Sequence, residues 1–224
     1  MIFTEREEFN KDQTLMSCLY PDCLPRYSLL ELCCYHGAVD CFKLLRAKFN
    51  SKITYTCIKF SFLGGNPEIM SECLKYKKPY YQCMEYAIIS HNIDFVTFLM
   101  NEYNIGLDLL HCGWHHNLES FLIYFEQTND INKCFIYSSV FNTPSLCEYF
   151  LSHGANVNEK NDYGKTALYI AAQFNSKEVA ELLILQGANI NEKDNFGKTV
   201  LQCAACYNSK EMSELLISHG CKYQ

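Results

Sequence analysis

The pattern of polar and apolar residues indicates a helix start at seven positions along the chain. They are Ala38, Asn66, Asn92, Asn117, Thr143, Ser176 and Ser209. All but the first carry a side chain that can cap a helix N-terminus. An acidic residue, which complements the positive end of the helix dipole, stands two positions later in six of the seven. The exception, Thr143, is followed by a proline, which is also common at a helix start.

Residues at fixed distances from these starts predict a second helix in front of each one. Five residues before each start stands a small side chain: Cys33, Ser61, Ala87, Cys112, Ser138, Ala171 or Ala204. Seven residues after each start stand Leu45, Cys73, Leu99, Tyr124, Phe150, Leu183 and Leu216, which suit the buried stripe of an amphipathic helix. We expect the small residues to allow close helix packing. The pattern thus predicts seven helix pairs between residues 27 and 219.

The last two pairs lie in a sequence repeat. Residues 154–186, "GANVNEKNDYGKTALYIAAQFNSKEVAELLILQ", are followed directly by residues 187–219, "GANINEKDNFGKTVLQCAACYNSKEMSELLISH", and 20 of the 33 aligned positions are identical. Self-similarity with this period is typical of stacked helical arrays. The two segments resemble ankyrin repeats in their "GANVN", "GKT", "A-L-x-x-A-A" and "E-L-L-I" elements. The resemblance implies an all-α, ankyrin-type helical repeat solenoid.

The spacing between the helix starts divides the chain. The intervals are 28, 26, 25 and 26 residues up to position 143, and then 33 residues twice. The difference matches the length of the β-hairpin finger of ankyrin repeats, so we expect short fingers only in the C-terminal repeats. The earlier part resembles the divergent, fingerless ankyrin-related domain found in large protein families of unicellular parasites, a domain without assigned chemistry. The predicted organisation is an N-terminal arm or cap (1–26), fingerless helix pairs (27–153) and ankyrin repeats (154–224).

The two Gly-Lys-Thr triplets, at 164–166 and 197–199, also end the phosphate-binding P-loop motif. A P-loop needs a further glycine five residues earlier, where this chain has Glu159 and Glu192. We therefore interpret the triplets as parts of tight turns that lead into helices. The turn residues are Asn161 and Asp194 at the first position, Gly164 and Gly197 at the last, and Thr166 and Thr199 as helix caps.

The composition of the chain indicates which class of partner and which cellular compartment to expect. The 224 residues are 49% hydrophobic and 20% charged, which excludes a disordered chain, and the net charge is −6. Residues 1–143 carry 12 basic and 16 acidic side chains, and residues 144–224 carry 7 basic and 9 acidic ones, so we expect no nucleic-acid partner.

No apolar run approaches the roughly 20 residues that span a bilayer, and we expect no membrane partner. Because "MIFTEREEF" lacks the apolar core of a signal peptide, we expect the 14 cysteines to be free thiols in the cytoplasm.

Two clusters of reactive side chains have a packing explanation. In "HCGWHH" (111–116) the spacing matches no structural zinc pattern, Cys112 is one of the small packing residues, and the last two histidines fall in a turn. "CAAC" (203–206) has redox spacing, but it occupies a helix in which Cys203 is expected in the core and Cys206 near the concave surface. We expect no metal, no cofactor and no catalytic residue, and interpret the chain as a non-enzyme.

The ankyrin resemblance implies binding to a protein partner through the concave face and the finger turns. The residues at these places are Asp162, Tyr163, Lys165, Gln173 and Phe174 in one repeat and Asn195, Phe196, Lys198, Cys206 and Tyr207 in the next. The "T-P-L-H" of the family is here "TALY" and "TVLQ". The change removes the usual histidine hydrogen bond, so we expect more mobile fingers.

Two alternative functions stay open at this point. One is a thiol-dependent enzyme or redox protein on a helical repeat scaffold, since 14 cysteines and 7 histidines allow many pairs. The other is a self-assembling structural protein. Because the last repeat copies the internal one, we also expect an incompletely capped C-terminal end that self-associates weakly.

Overall fold

The computed structural model describes residue 10 and residues 13–15, 26–207 and 209–221. These residues form fourteen α-helices and one short pair of antiparallel strands. Each of the seven predicted starts is the N-cap of a helix, so the predicted helix pairs are confirmed. No helix in the described ranges has the length and apolar character needed to cross a membrane. The chain folds as two compact units, 1–107 and 108–224.

The first unit contains three helix pairs. They are α1 (Leu29–Tyr35) with α2 (Val39–Phe49), α3 (Tyr55–Leu63) with α4 (Pro67–Leu74), and α5 (Tyr81–Ile89) with α6 (Ile93–Tyr103). Helices α1, α3 and α5 lie side by side, and α3, which has a neighbour on each flank, buries six of its nine residues. Before α1, strand β1 (Thr14–Leu15) pairs with strand β2 (Tyr27–Ser28), an element that the sequence pattern did not predict. Most of the predicted arm, residues 1–26, lies outside the described residues.

The second unit contains four helix pairs. They are α7 (Leu109–Trp114) with α8 (Leu118–Thr128), α9 (Ile131–Ser138) with α10 (Pro144–Ser152), α11 (Ala167–Gln173) with α12 (Lys177–Leu185), and α13 (Val200–Cys206) with α14 (Lys210–Ser218). A single 3₁₀ turn, Ser139–Phe141, follows α9. The first helices α7, α9, α11 and α13 pack in sequence order, and α10, α12 and α14 form a second layer. The predicted all-α, ankyrin-type fold is confirmed.

The turns inside six of the helix pairs share one backbone feature. The residue immediately before the N-cap has positive φ in six pairs; these residues are Gly37, Gly65, His91, His116, Asn142 and Asn175. The seventh equivalent, Asn208, lies outside the described residues. In several pairs the N-cap N–H group donates to the carbonyl oxygen of the small residue five positions earlier, as from Asn117 to Cys112 at 2.8 Å. All seven small residues are buried, as predicted.

Side-chain capping is present at some of these starts and absent at others. The side chains of Asn66, Asn92 and Asn117 accept hydrogen bonds from backbone N–H groups in the first turn. Thr143, Ser176 and Ser209 make no such bond, so that part of the prediction is wrong. The backbone ψ angle is 79° at Asn117 and 78° at Ser176. At this shared ψ only the longer asparagine side chain reaches the donor.

The connections between pairs confirm that the fingers are confined to the C-terminal repeats. In the earlier part of the chain, α2, α6 and α8 each end on a left-handed asparagine, and after α8 the residue that follows this asparagine, Asp130, is already the N-cap of the next helix. After α10 and α12 the chain instead turns through Gly154 and Gly187 into the fingers, residues 154–165 and 187–198. Among described finger residues, β-type pairing is limited to the bridge between Lys193 and Thr199.

Candidate functional site

The first finger ends in a turn that its own asparagine side chain closes. Oδ1 of Asn161 accepts hydrogen bonds from the N–H groups of Tyr163 and Lys165, both at 3.0 Å. Gly164 lies in the left-handed region with φ 74°, which glycine adopts at little cost. The hydroxyl group of Thr166 then caps α11, as predicted. The side chain of Tyr163 points away from these bonds and is exposed.

The second finger repeats this arrangement with an aspartate. Oδ1 of Asp194 accepts hydrogen bonds from the N–H groups of Phe196 and Lys198, both at 2.9 Å. Gly197 has φ 79°, and Thr199 caps α13. The interpretation of both Gly-Lys-Thr triplets as turn and cap residues is therefore confirmed.

Each finger is also bonded to the first helix of the preceding pair. The Tyr169 hydroxyl group in α11 donates to Oδ2 of Asp194 at 2.8 Å. One repeat earlier, Nδ2 of Asn161 donates to the hydroxyl oxygen of Tyr137 in α9 at 3.1 Å. Tyr169 occupies the place of the family's histidine and supplies a different hydrogen bond from that position. This bond tethers the second finger to α11, and the expected mobility of the fingers stays a prediction.

The bond between Tyr169 and Asp194 shifts the pKa values of both groups. Burial, followed by the bond to the carboxylate, raises the pKa of Tyr169. Burial alone would raise the pKa of Asp194. Hydrogen bonds from the Lys198 and Phe196 N–H groups and from the Tyr169 hydroxyl group outweigh it and hold that pKa below its ordinary value. Asp194 is therefore an anion at neutral pH, with both oxygens already bonded.

A cleft of about 390 Å³ opens between the second finger and helices α11 and α13. We call it the finger–helix cleft; its lining residues are Lys165, Tyr169, Gln173, Asp194, Phe196, Lys198, Cys203, Cys206 and Tyr207. Six of the ten predicted contact residues are among them: Lys165, Gln173, Phe196, Lys198, Cys206 and Tyr207. The rings of Phe196 and Tyr207 are 81% and 57% exposed, so they stand at the rim of the cleft.

Two lysines give the cleft its positive charge. Nζ of Lys165 donates to Oε1 of Gln173 at 3.0 Å and lies 5.1 Å from the ring centroid of Tyr169. Lys198 is exposed. Neither lysine forms a salt bridge with any residue that the structure describes. Both ammonium groups can therefore donate hydrogen bonds to an anionic group from outside the chain.

The remaining predicted residues on the fingers lie outside this cleft. The Asn195 amide group donates to the carbonyl oxygen of Asp162 at 2.8 Å, and the Asn195 N–H group donates to that of Tyr163 at 3.0 Å. A side chain at Gly164 would overlap Asn195, so glycine is needed for this close stacking. Asn195 thus links the two fingers. Tyr163 is 57% exposed, and Asp162 lines a separate cleft of about 200 Å³ in front of the first finger.

Phe174, the last predicted contact residue, lies beside an aromatic residue that the sequence reasoning missed. Its ring centroid is 6.5 Å from that of Trp114, which is 52% exposed. Trp114 precedes its cap by three residues, as Gln173 and Cys206 precede theirs, so the helix register could have identified it. The exposed Trp114 and the half-buried Phe174 form a second aromatic site in this unit.

The "HCGWHH" segment is used for packing and for the turn. The His111 ring lies 5.1 Å from that of Trp114. Cys112 is fully buried, and burial raises the pKa of its thiol to about 12. His116 is the left-handed turn residue of its pair. Across the described residues, no group of three or more His, Cys, Asp or Glu side chains is arranged to hold a metal ion.

The two cysteines of "CAAC" lie in different environments, as predicted. Cys203 is buried, and burial raises the pKa of its thiol to about 11. Cys206 is exposed at the rim of the cleft. Twelve cysteines fall in the described ranges, and all twelve are free thiols.

Family models match two overlapping parts of the chain. Residues 115–224 match "Ankyrin repeats (3 copies)", and residues 49–124 match "Domain of unknown function (DUF3447)". No curated protein matches the chain. The ankyrin match extends in front of the two repeats at 154–219 and includes α8. The predicted division into 1–26, 27–153 and 154–224 stays a prediction.

Proposed function

Since this chain belongs, over residues 115–224, to the ankyrin repeat family, we propose that it is a non-enzymatic scaffold that binds a protein partner at the finger–helix cleft and the finger turns. Ankyrin repeats generally mediate protein–protein interaction, and the family is typically non-enzymatic. The observation that carries the proposal is that six predicted contact residues line one cleft.

The exposed aromatic side chains around the cleft support a protein partner. Tyr163, Phe196 and Tyr207 each expose more than half of their surface, although the chain buries many other aromatic rings in its core. Aromatic side chains are the most frequent anchors of protein interfaces. Phe174 and Trp114 extend the same aromatic character along the ends of the first helices.

The test is affinity capture by the immobilised full chain, with bound proteins identified by mass spectrometry. Replacing Tyr163, Phe174, Phe196 and Tyr207 together by alanine should weaken capture by more than about tenfold, since each aromatic anchor contributes about 1 kcal/mol or more. Control variants are Tyr81→Ala and Leu185→Ala, which remove side chains of comparable exposure away from the cleft. The helical circular dichroism of all variants should match the original. Capture that survives the fourfold change would place the binding site elsewhere.

Weak self-association through the C-terminal end is a second, minor proposal. Gln202 is exposed at the position where the preceding repeat has the buried Tyr169. Ser213 is half-buried at the position where it has the buried Ala180. Polar side chains bury less apolar surface than the residues they replace, so this difference limits the strength of any contact there. Sedimentation velocity over a range of concentrations measures it directly.

We also propose a cytoplasmic location, which the free thiols of the core support. The thiol-enzyme alternative has no support from the cysteines described, since ten of the twelve are buried.

A further inference from the structure

We propose that the finger–helix cleft recognises an acidic peptide segment, in which an aspartate or glutamate side chain stands next to an aromatic or aliphatic one. This inference rests on the proposed function and specifies the chemistry of the partner. It follows from the charges inside the cleft and from the side chains at its rim.

The cleft carries more positive than negative charge, and neither of its lysines forms a salt bridge with its carboxylate. Asp194 is the sole acidic residue among the nine that line the cleft. Its Oδ1 atom is held by two backbone N–H groups and its Oδ2 atom by the Tyr169 hydroxyl group. The carboxylate is buried and belongs to the finger turn. With two ammonium groups and one carboxylate, the lining of the cleft has a net positive charge.

Each of the two lysines can donate hydrogen bonds to a carboxylate of the partner. Lys165 precedes α11 and Lys198 precedes α13, so equivalent positions of successive repeats supply the two charges. The neutral oxygen of Gln173 is the described hydrogen-bond partner of the Lys165 ammonium group. A carboxylate forms stronger, charge-assisted hydrogen bonds than a neutral amide, and it would displace that partner.

The rim of the cleft requires apolar surface in the same partner segment. Phe196 and Tyr207 line the cleft, and their exposed rings offer apolar contact area beside the lysines. Covering these rings removes apolar surface from water, which favours an aromatic or aliphatic residue next to the acidic one.

The same observations disfavour a nucleic acid as the occupant. A polyanion binds through an extended basic surface that neutralises several phosphates. The cleft offers two lysines and one carboxylate, and the chain carries a net charge of −6. These charges fit one or two carboxylates next to apolar groups.

The test uses two synthetic peptides of defined sequence, acetyl-Gly-Phe-Glu-Glu-Phe-Gly-amide and its counterpart with glutamine in place of both glutamates. Each is titrated into the full, ¹⁵N-labelled chain, and the backbone amide shifts are followed by NMR. The glutamate peptide should shift the amide signals of Lys165, Gln173, Lys198 and Cys206. It should bind about tenfold more tightly than the glutamine peptide, because charge-assisted hydrogen bonds replace neutral ones.

The matched variants exchange lysines inside and outside the cleft. The double variant Lys165→Gln, Lys198→Gln should reduce the preference for the glutamate peptide to less than about twofold, because the charged donors are removed. The control double variant Lys193→Gln, Lys210→Gln changes exposed lysines outside the cleft and should retain the preference.

Several results would overturn the inference. Equal affinity for both peptides, or binding of neither, would contradict it. A preference for the glutamate peptide that survives loss of the two cleft lysines would contradict it as well. So would an oligouridine probe that binds at the same amides more tightly than the glutamate peptide.

The affinity capture described above separates this inference from the proposed function. If the aromatic variant loses the captured partner and the double lysine variant retains it fully, the partner does not bind through an acidic segment. The proposed binding function would still hold in that case. Unchanged capture by both variants would contradict both.

Discussion

The hydroxyl group of Tyr169 in one repeat donates a hydrogen bond to the Asp194 carboxylate of the next finger, at 2.8 Å. The same relationship joins Tyr137 to Asn161 one repeat earlier, with the amide nitrogen as the donor. In both cases the second polar atom of the Asn or Asp side chain closes the finger turn. The conformation of each finger is thus coupled to the first helix of the preceding pair.

This bond makes a measurable contribution to stability. Tyr169→Phe should lower the free energy of unfolding by about 2 kcal/mol, because it leaves a buried charged acceptor short of one donor. Tyr137→Phe is the matched control and should cost about 1 kcal/mol, because its partner is a neutral amide. Urea unfolding followed by circular dichroism gives both values. A larger loss for Tyr137→Phe would contradict the role of charge.

Asp194 should contribute to the pH dependence of stability. Its folded-state pKa is lowered, so its contribution is fully present above the unfolded pKa of about 3.9 and is lost as the pH falls through the folded value. Asp194→Asn should therefore lose less stability than the original chain between neutral pH and about pH 2. At neutral pH the variant should cost less than about 1 kcal/mol, because Asn161 shows that asparagine makes the same turn and tyrosine contacts.

The reciprocal variant tests the same point. Asn161→Asp should introduce an acid-dependent loss of stability that the original first finger lacks, because its carboxylate would accept from the Tyr137 hydroxyl group. Unfolding curves at several pH values measure both variants, and identical pH profiles for all three chains would contradict the assignment.

The difference in capping predicts different costs for two helix starts. Oγ of Ser176 is buried without a hydrogen-bond partner among the described residues, so Ser176→Ala should be neutral or slightly stabilising. Asn92→Ala removes the bond that the Asn92 side chain accepts from the Phe95 N–H group at 3.2 Å, and should cost about 1 kcal/mol. Thermal unfolding of both variants tests this, and equal losses would show that Ser176 caps its helix after all.

Two histidines occupy a backbone conformation that suits glycine. His91 and His116 are exposed and have φ values of 52° and 51°. Replacing either by glycine should raise the free energy of unfolding by up to about 1 kcal/mol, because the strain of a side chain in the left-handed region is removed. The control is His115→Gly, whose φ is −100°, and it should be neutral or destabilising. Stabilisation by the control as well would refute the backbone explanation.

The thiols should differ strongly in their rates of alkylation. Cys206 and Cys41 are exposed and should react first with iodoacetamide at neutral pH. Cys112 and Cys203 should react slowly, since burial raises the pKa of their thiols to about 12 and about 11 and also restricts access. Peptide mapping by mass spectrometry measures the rates. One buried thiol that reacts faster than Cys206 would revive the thiol-enzyme alternative.

The helix pairs were predictable because their signals are local. Each pair is indicated by a cap residue, a small residue five positions before it and an apolar residue seven positions after it, as around Asn92. All three belong to one turn and its two helices. Whether a cap side chain is bonded depends on ψ together with the length of the side chain, and this explains the error at Ser176, whose ψ equals that of Asn117 within 1°. The bond from Tyr169 to Asp194 depends on how one repeat stacks on the next, which the sequence of either repeat does not contain. Trp114 was missed because its pair has no finger, although its register matches that of Gln173.

The direction of the tyrosine bonds also bears on the order in which the protein assembles as it leaves the ribosome. Tyr137 and Tyr169 are each synthesised before the finger that they hold, and chains generally fold from the N-terminus during synthesis. Each finger therefore meets its partner as soon as it emerges and need not wait for the next repeat.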